Sequence, residues 1–204
     1  MAMLIAVQNA QADLRAGFTA ARDMTSHGNG YADVALRDAI NQGRLEGPRL
    51  QVSTLGIVWS NAPATTPQNP LAGTVIRSIE EARMAVQEQV RQGADWIKLY
   101  HTGNYSFTPT GDVDYVLTYA MPVLQALIDE AHRLGRKTAC HVFGGDGQKN
   151  AIDVCPRDPG DGPHRPGQAR GDDSGSCHPV GDDDQRGSTR PAARRRIHRG
   201  RQVR

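Results

Sequence analysis

The stretch Ala94-Asp95-Trp96-Ile97-Lys98-Leu99-Tyr100 decides the fold class, because it is an apolar run of strand length with a lysine in its middle. A matching run, Lys137–Phe143, follows one helix later and carries His141 near its end. A strand buried on both faces normally excludes a long cation, because an unpaired buried charge is costly unless it is neutralised, paired or bound to a metal. Lys98 and His141 are therefore the strongest candidates for a functional site.

A helical stretch that ends in glycine and is followed by an apolar strand recurs along the chain. The predicted pairs are Asn9–Gly17 with Phe18–Ala21, Val34–Gly43 with Leu50–Val52, Ile79–Gly93 with Ala94–Tyr100, and Leu124–Gly135 with Lys137–Phe143. Each glycine suits the position just after a helix. Ser78 and Glu81 form the pattern of a capping box, and Pro122 suits a first helical turn. Strands that alternate with helices predict an α/β fold with a parallel sheet and right-handed crossovers.

Side chains alternate between the two faces of a strand, and this alternation groups the candidate residues. Trp96, Lys98 and Tyr100 share one face of their strand. On the next strand the same rule places His141 on the face opposite to Cys140. In parallel folds, whether open sheet or closed barrel, ligands meet residues at the carboxyl ends of strands. The polar ends of Lys98 and His141 are therefore predicted to converge.

Several ordered segments carry a family resemblance. They are Leu14–Asp23, Ala35–Ile40, Gly47–Leu50, Gly93–Leu99 and Glu130–Gly135. Over roughly residues 5–152 the chain resembles the metal-dependent amidohydrolase superfamily, specifically its imidazolonepropionase-like and Xaa-Pro dipeptidase-like branch. The resemblance implies a (β/α)8 TIM barrel, of which this chain covers about strands 2–5, roughly half of the barrel. In such a barrel the loops Ser60–Gly73 and Thr102–Asp114 are expected to shape the pocket.

The resemblance also implies a chemistry. Its members hold one or two divalent metals, usually zinc, that activate water to hydrolyse an amide, a cyclic amide or a dipeptide. Lys98 matches a fourth-strand lysine that is carboxylated by CO2 and bridges the metals, and His141 matches a fifth-strand ligand. Carboxylation converts a strongly basic group, with an ordinary pKa of about 10.4, into an anionic oxygen ligand. Tyr100 and His101 are expected to contact the substrate.

The chain also departs from the family pattern. The superfamily's His-x-His metal motif belongs to the first strand and is absent here, so Met1 is expected to lie inside the first helix of a barrel. The flanking β-sandwich domain is missing as well. After Asn150–Asp153 the family continues into a sixth strand with a Glu-His-Gly-type ligand, whereas this chain continues with Val154-Cys155-Pro156. Since the eighth-strand aspartate is also lacking, we expect the chain to be inactive.

The amino-acid composition changes near Asp153 from that of a globular domain to that of a disordered segment. Residues 1–152 are predicted to form a partial amidohydrolase-like TIM-barrel domain, and residues 153–204 a disordered tail rich in Arg, Gly, Pro and Asp. The tail has no aromatic residue and few aliphatic ones, so it cannot bury a core against the entropy of ordering. Such a bias is what a GC-rich coding region gives when it is read out of frame. We therefore expect a frameshift near codons 152–155.

Two other functions remain open. The run Arg190–Arg204 favours phosphate binding, so the chain could be a basic-tailed nucleic-acid-binding protein. Neighbouring aspartates dilute this charge, no aromatic residue is available for base stacking, and the net charge of the chain is only +2, so we expect no nucleic-acid partner. The third reading is a non-metal barrel enzyme that uses Lys98 as a Schiff base.

Partners and location follow from the same features. We expect a small-molecule or dipeptide substrate, and self-association through the exposed sheet edges of a half barrel. Met1–Val7 is too short for a signal peptide or a membrane span. The three cysteines, Cys140, Cys155 and Cys177, show no disulfide framework. Together these features predict a cytoplasmic protein without membrane contact.

Three further polar residues are interpreted as structural. His132 lies beside Arg133 in a predicted helix and is expected on the solvated surface. Arg22 and Asp23, at the end of the predicted strand after the first helix, are expected to form a structural ion pair.

Overall fold

The chain folds as alternating helices and strands. A computed structural model describes residues 2–27, 29–59, 73–154 and 178–180. Its elements in chain order are α1 (Ala2–Arg15), β1 (Ala20–Asp23), α2 (Ala32–Asn41), β2 (Arg49–Val52), β3 (Gly56–Trp59), β4 (Gly73–Ile76), α3 (Ile79–Arg91), β5 (Trp96–Tyr100), β6 (Thr102–Phe107), β7 (Val113–Leu117), α4 (Met121–Arg133), β8 (Lys137–His141), α5 (Gly145–Asp153) and β9 (His178–Val180). The predicted α/β class is confirmed.

The main sheet is parallel, as predicted. Its strand order is β4-β3-β5-β8-β9, and every neighbouring pair in it runs parallel. Strands β1 and β2 form a second parallel pair, and the Asp95 backbone N–H donates to the Val52 carbonyl at 2.8 Å, which connects β2 to the start of β5. Strands β6 and β7 form an antiparallel hairpin. Among the described strands the order does not close on itself.

Local sequence signals explain where the helices begin and end. The Ser78 Oγ accepts a hydrogen bond from the Glu81 backbone N–H at 3.1 Å, and the Glu81 carboxylate accepts one from the Arg77 backbone N–H at 2.7 Å. Gly93, which follows α3, has a φ of +101°, a conformation that other residues rarely adopt. Helix α1 begins at Ala2, before the predicted Asn9, and helix α4 begins at Met121, so that Pro122 lies in its first turn, as predicted.

The core lies between the main sheet and the helices α3 and α4. Ile97 and Leu99 of β5 are fully buried in it, so the aliphatic face of this strand contacts the helices, as the alternation predicts. The helices contribute apolar stripes to the same cluster. Their fully buried members include Ala82, Val86, Leu124 and Leu127. This packing leaves the face of β5 that carries Lys98 for the site.

At the carboxyl end, helix α5 continues through Asp153, and Val154 is buried. Residues His178–Val180, within the region expected to be disordered, form β9 against the edge of β8. An unpaired strand edge accepts any segment whose backbone can reach it, and Pro179 is tolerated because an edge strand need not donate from every residue.

Several sequence-based expectations lie outside the described residues. They concern most of the loop Ser60–Gly73, the remainder of the tail with Cys155 and Cys177, and the basic run Arg190–Arg204. In the described part of the chain, no helix is both long enough and apolar enough to cross a membrane.

Candidate metal and substrate site

Lys98 occupies the middle of a buried strand face. Its side chain is only 4% exposed, and its backbone lies in register with Ala139 of β8. The Nζ atom lies 5.2 Å from the centre of the Tyr100 ring, within the range of a cation–π contact. The burial that the sequence predicts for this lysine is therefore present in the structure.

His141 lies on the same face, at the end of the neighbouring strand. Its backbone is in register with Tyr100, and the centres of the two rings are 5.2 Å apart. The imidazole also meets the Phe143 ring edge-to-face, with 4.7 Å between the ring centres. Lys98 pairs with Ala139, two residues before His141. The structure therefore brings Lys98, Tyr100 and His141 to one face at the carboxyl ends of two adjacent strands.

Gly56 makes room for the Tyr100 ring. A Cβ atom at position 56 would lie 2.5 Å from Cε2 of Tyr100 and 3.0 Å from Oγ1 of Thr25. The distance to the Tyr100 ring is shorter than real Cβ contacts show, so a larger residue at position 56 would force this ring to move. The sequence analysis did not identify Gly56 or Thr25, because this close approach arises only when β3 and β5 pair.

His101 lies apart from the other candidates. It is fully buried and its ring stacks on Tyr119, with 5.8 Å between the ring centres and 4° between the planes. Burial lowers the pKa of His101 to about 4, so the ring is neutral at neutral pH. Tyr119 belongs to the core, which lies on the face of β5 opposite to Lys98. The alternation of side chains along the strand accounts for this placement. A side chain on the core face is not favoured for the expected contact of His101 with substrate.

The segment expected to shape the pocket as a loop is the β6–β7 hairpin. Tyr105 of β6 contacts Phe143, with 4.7 Å between ring centres, and contacts Phe107 at 5.7 Å. The Tyr115 hydroxyl of β7 donates to the Gly144 carbonyl at 2.8 Å and so ties the hairpin to the segment after β8. In the sequence, the alternation of aromatic and polar residues in Tyr105-Ser106-Phe107 was the pattern that could have predicted a strand here.

At the amino end of β5 the same face carries a cationic aromatic cluster. The Trp96 ring contacts two cations: the Arg22 guanidinium lies 4.4 Å from its ring centre and the Lys137 ammonium lies 5.6 Å from it. The indole N–H donates to the Gln51 side chain at 2.9 Å. Arg22 thus contacts Trp96, and the expected ion pair with Asp23 does not appear among the described residues. Adjacent residues of a strand point to opposite faces, which explains the difference.

The carboxylate of Asp23 lies at the carboxyl end of β1. Its Oδ1 accepts a hydrogen bond from the Thr25 backbone N–H at 3.2 Å, and burial raises its pKa. His132, expected on the solvated surface, is half-buried, and neither of its ring nitrogens has a hydrogen-bond partner within the described part of the chain. Burial lowers the pKa of His132.

The donor set on the Lys98 face suits a metal in part. In the described ranges, no group of three or more His, Cys, Asp or Glu side chains is placed to hold a metal ion. His141 offers an imidazole nitrogen, and Lys98 offers oxygen ligands only after carboxylation. These two residues could therefore contribute ligands to a site but do not form a complete one.

Known proteins are similar to most of this chain. A model of the amidohydrolase family matches residues 2–156. Uncharacterized proteins of Mycobacterium tuberculosis and Mycobacterium bovis are 33% identical over 100 residues, which is 48% of this chain and 26% of each relative.

Solved structures are similar to a larger share of this chain. A Xaa-Pro dipeptidase with bound methionine in its active site has 26% identity and a TM-score of 0.63, covering 74% of this chain and 39% of that one. An amidohydrolase structure has 30% identity and a TM-score of 0.61 over the same shares of the two chains. The chain thus spans about a quarter of the length of the curated relatives.

Proposed function

The chain belongs to the amidohydrolase family, and from this premise we propose that its site serves the hydrolysis of a carbon–nitrogen bond by metal-activated water. The bond would be that of an amide, a cyclic amide or a dipeptide. One observation carries the proposal: the lysine buried in β5 shares a face with His141 at the carboxyl ends of adjacent parallel strands. In barrel folds this end of the sheet is where catalytic groups gather.

The buried position of Lys98 favours its carboxylation. The neutral amine adds to CO2, a nitrogen–carbon bond forms, and the proton lost from nitrogen passes to solvent, leaving an anionic carbamate. A carbamate on this strand offers two oxygens, whereas an ammonium offers no lone pair to a metal. Trp96 and Tyr100 share the face of Lys98, so the aromatic surroundings shield the group from bulk water.

His141 is the second proposed ligand. Its ring contacts both the Tyr100 ring and the Phe143 ring, and His141 shares the strand face of Lys98 and Tyr100. One or two divalent metals, most readily zinc, held by this imidazole and the carbamate would supply an activated water and polarise the scissile carbonyl. We propose that Tyr100 contacts the substrate there. His101 is too deeply buried for that role.

Metal content measured by plasma mass spectrometry on the purified 204-residue chain tests the proposal. After incubation with zinc and bicarbonate we expect bound zinc, with losses in Lys98→Ala and in His141→Ala. The matched control is Lys137→Ala, which removes a lysine from the neighbouring strand at the opposite end of the sheet. Equal zinc in all four proteins, or no zinc in any, would contradict the assignment of Lys98 and His141.

A second measurement separates metal chemistry from Schiff-base chemistry at Lys98. Carboxylation adds the mass of one CO2, which is lost on acidification, whereas a Schiff base is trapped by borohydride as a stable adduct. Because the described residues hold no complete metal-binding group, we expect the 204-residue chain by itself to be inactive towards dipeptides and cyclic amides.

A further inference from the structure

A continuous series of aromatic rings leads away from Lys98. From Tyr100 the contacts run to His141 at 5.2 Å, to Phe143 at 4.7 Å and to Tyr105 at 4.7 Å, and end at Phe107 after a further 5.7 Å between ring centres. Each distance lies within the range of direct ring contact. The series joins the face of the parallel sheet to the β6–β7 hairpin.

The outer end of this series is exposed although it is apolar. Tyr105 is 46% exposed, Phe107 is 68% exposed and Val113, which pairs with Phe107 across the hairpin, is 44% exposed. On the other face of the hairpin, Ser106 pairs with Asp114. The hairpin therefore has an apolar side that continues from His141. A contiguous exposed apolar surface of this kind is typical of a binding site.

The hairpin is fixed at its base. Tyr115 hydrogen-bonds to the Gly144 carbonyl, and a Cβ at Gly145 would lie only 1.9 Å from the Tyr115 hydroxyl oxygen. The backbone N–H of Thr118 donates to the His101 carbonyl at 2.9 Å. A hairpin held at several points presents its aromatic side chains in a constant position, which lowers the entropy cost of binding.

We propose that Tyr105, Phe107 and Phe143 form a subsite for an aromatic or large apolar side chain of the substrate. The inference rests on the proposed function, because it places the scissile bond of that substrate near Lys98 and His141. It goes further in naming the class of substrate: an N-acylated or peptide-linked aromatic amino acid. The subsite is continuous with the rings of His141 and Tyr100. A small molecule that also reaches the site is therefore favoured as its occupant, rather than a second copy of the chain.

Binding of two probes to the full 204-residue chain tests the subsite without requiring turnover. The probes are N-acetyl-L-phenylalanine amide and N-acetyl-L-alanine amide, titrated by ligand-observed nuclear magnetic resonance. We expect the phenylalanine probe to bind more tightly. Phe107→Ala should weaken its binding by about two- to twelvefold, the range that one aromatic pair contributes, with little change for the alanine probe.

Phe18→Ala is the matched control. Phe18 is also a phenylalanine with a largely exposed side chain, 62% against 68%, but it precedes β1 at the amino end of the sheet. Its removal should leave both affinities unchanged. Equal binding of the two probes, or equal losses in Phe107→Ala and Phe18→Ala, would overturn the proposal. A change in oligomeric state with Phe107→Ala at unaltered probe affinity would assign the surface to a second copy, and would overturn it too.

The subsite and the proposed function can fail separately. Zinc bound through Lys98 and His141 without any aromatic preference would leave the function standing and refute the subsite. A phenylalanine preference that depends on Phe107 in a chain that binds no zinc would do the reverse. Neither result requires catalysis by this chain.

Discussion

Acidification should destabilise the folded chain through the buried ring of His101. The ring is stacked on Tyr119, its Nδ1 has no hydrogen-bond partner within the described residues, and burial lowers its pKa to about 4. A proton on this imidazole therefore has to be accommodated in the core without a compensating group. The nearest polar contact of the ring is the Asn150 side chain, 3.5 Å from Nε2.

The sign and the size of the effect follow from proton linkage. In the unfolded chain the histidine titrates near its ordinary pKa of about 6.5, whereas the folded ring titrates at about 4. Between these values the unfolded state binds more protons, so the free energy of unfolding falls as the pH falls. At about 1.4 kcal/mol per pKa unit, lowering the pH from about 7 to about 4.5 reduces the free energy of unfolding by about 2 kcal/mol.

Urea unfolding at several pH values measures this loss, and His101→Phe isolates its source. Phenylalanine keeps a flat ring against Tyr119 but binds no proton, so the variant should lose about 2 kcal/mol less than the parent chain over the same pH range. Glu130, whose pKa is lowered to about 2 mainly by the Arg133 hydrogen bond, titrates in both proteins and cancels in the comparison. Equal losses in parent and variant would refute the argument.

Two further substitutions test the packing near the site. Gly56→Ala should cost about 1–3 kcal/mol, because the new Cβ overlaps the Tyr100 ring, and the added Tyr100→Leu should recover part of that loss in thermal unfolding. Gln89→Leu should lower the free energy of unfolding in urea by about 1–3 kcal/mol. The fully buried Gln89 amide donates a hydrogen bond to the Thr74 hydroxyl at 2.9 Å and accepts one from the Thr54 hydroxyl, and leucine would remove both. Gln42→Leu, at an exposed position, should change the free energy of unfolding by less than about 0.5 kcal/mol.

The period-2 rule predicted which candidate side chains share a face. It placed Lys98 and Tyr100 on one face of β5, and the parallel pairing of β5 with β8 brings His141 beside Tyr100. The same rule, applied one residue further, would have assigned His101 to the core. The sequence-based proposal instead treated His101 as a residue beyond the strand.

Other features required the folded chain. Gly56 matters only because the Tyr100 ring of another strand lies against it, and the bonds of Gln89 join residues distant in sequence. The hairpin has short strands with a polar turn, so its alternation was too brief to separate it from a loop. The pairing of His178–Val180 depends on the open edge of β8 rather than on the composition of the tail.

Trp96 gives the molecule an optical reporter at the contact between three strands. The chain contains two tryptophans, Trp59 and Trp96, so Trp59→Phe would leave a single emitting indole. That indole contacts a cation from β1 and a cation from β8, and both charges act on the energy of its excited state. Its emission wavelength therefore reports whether these strands remain assembled around β5.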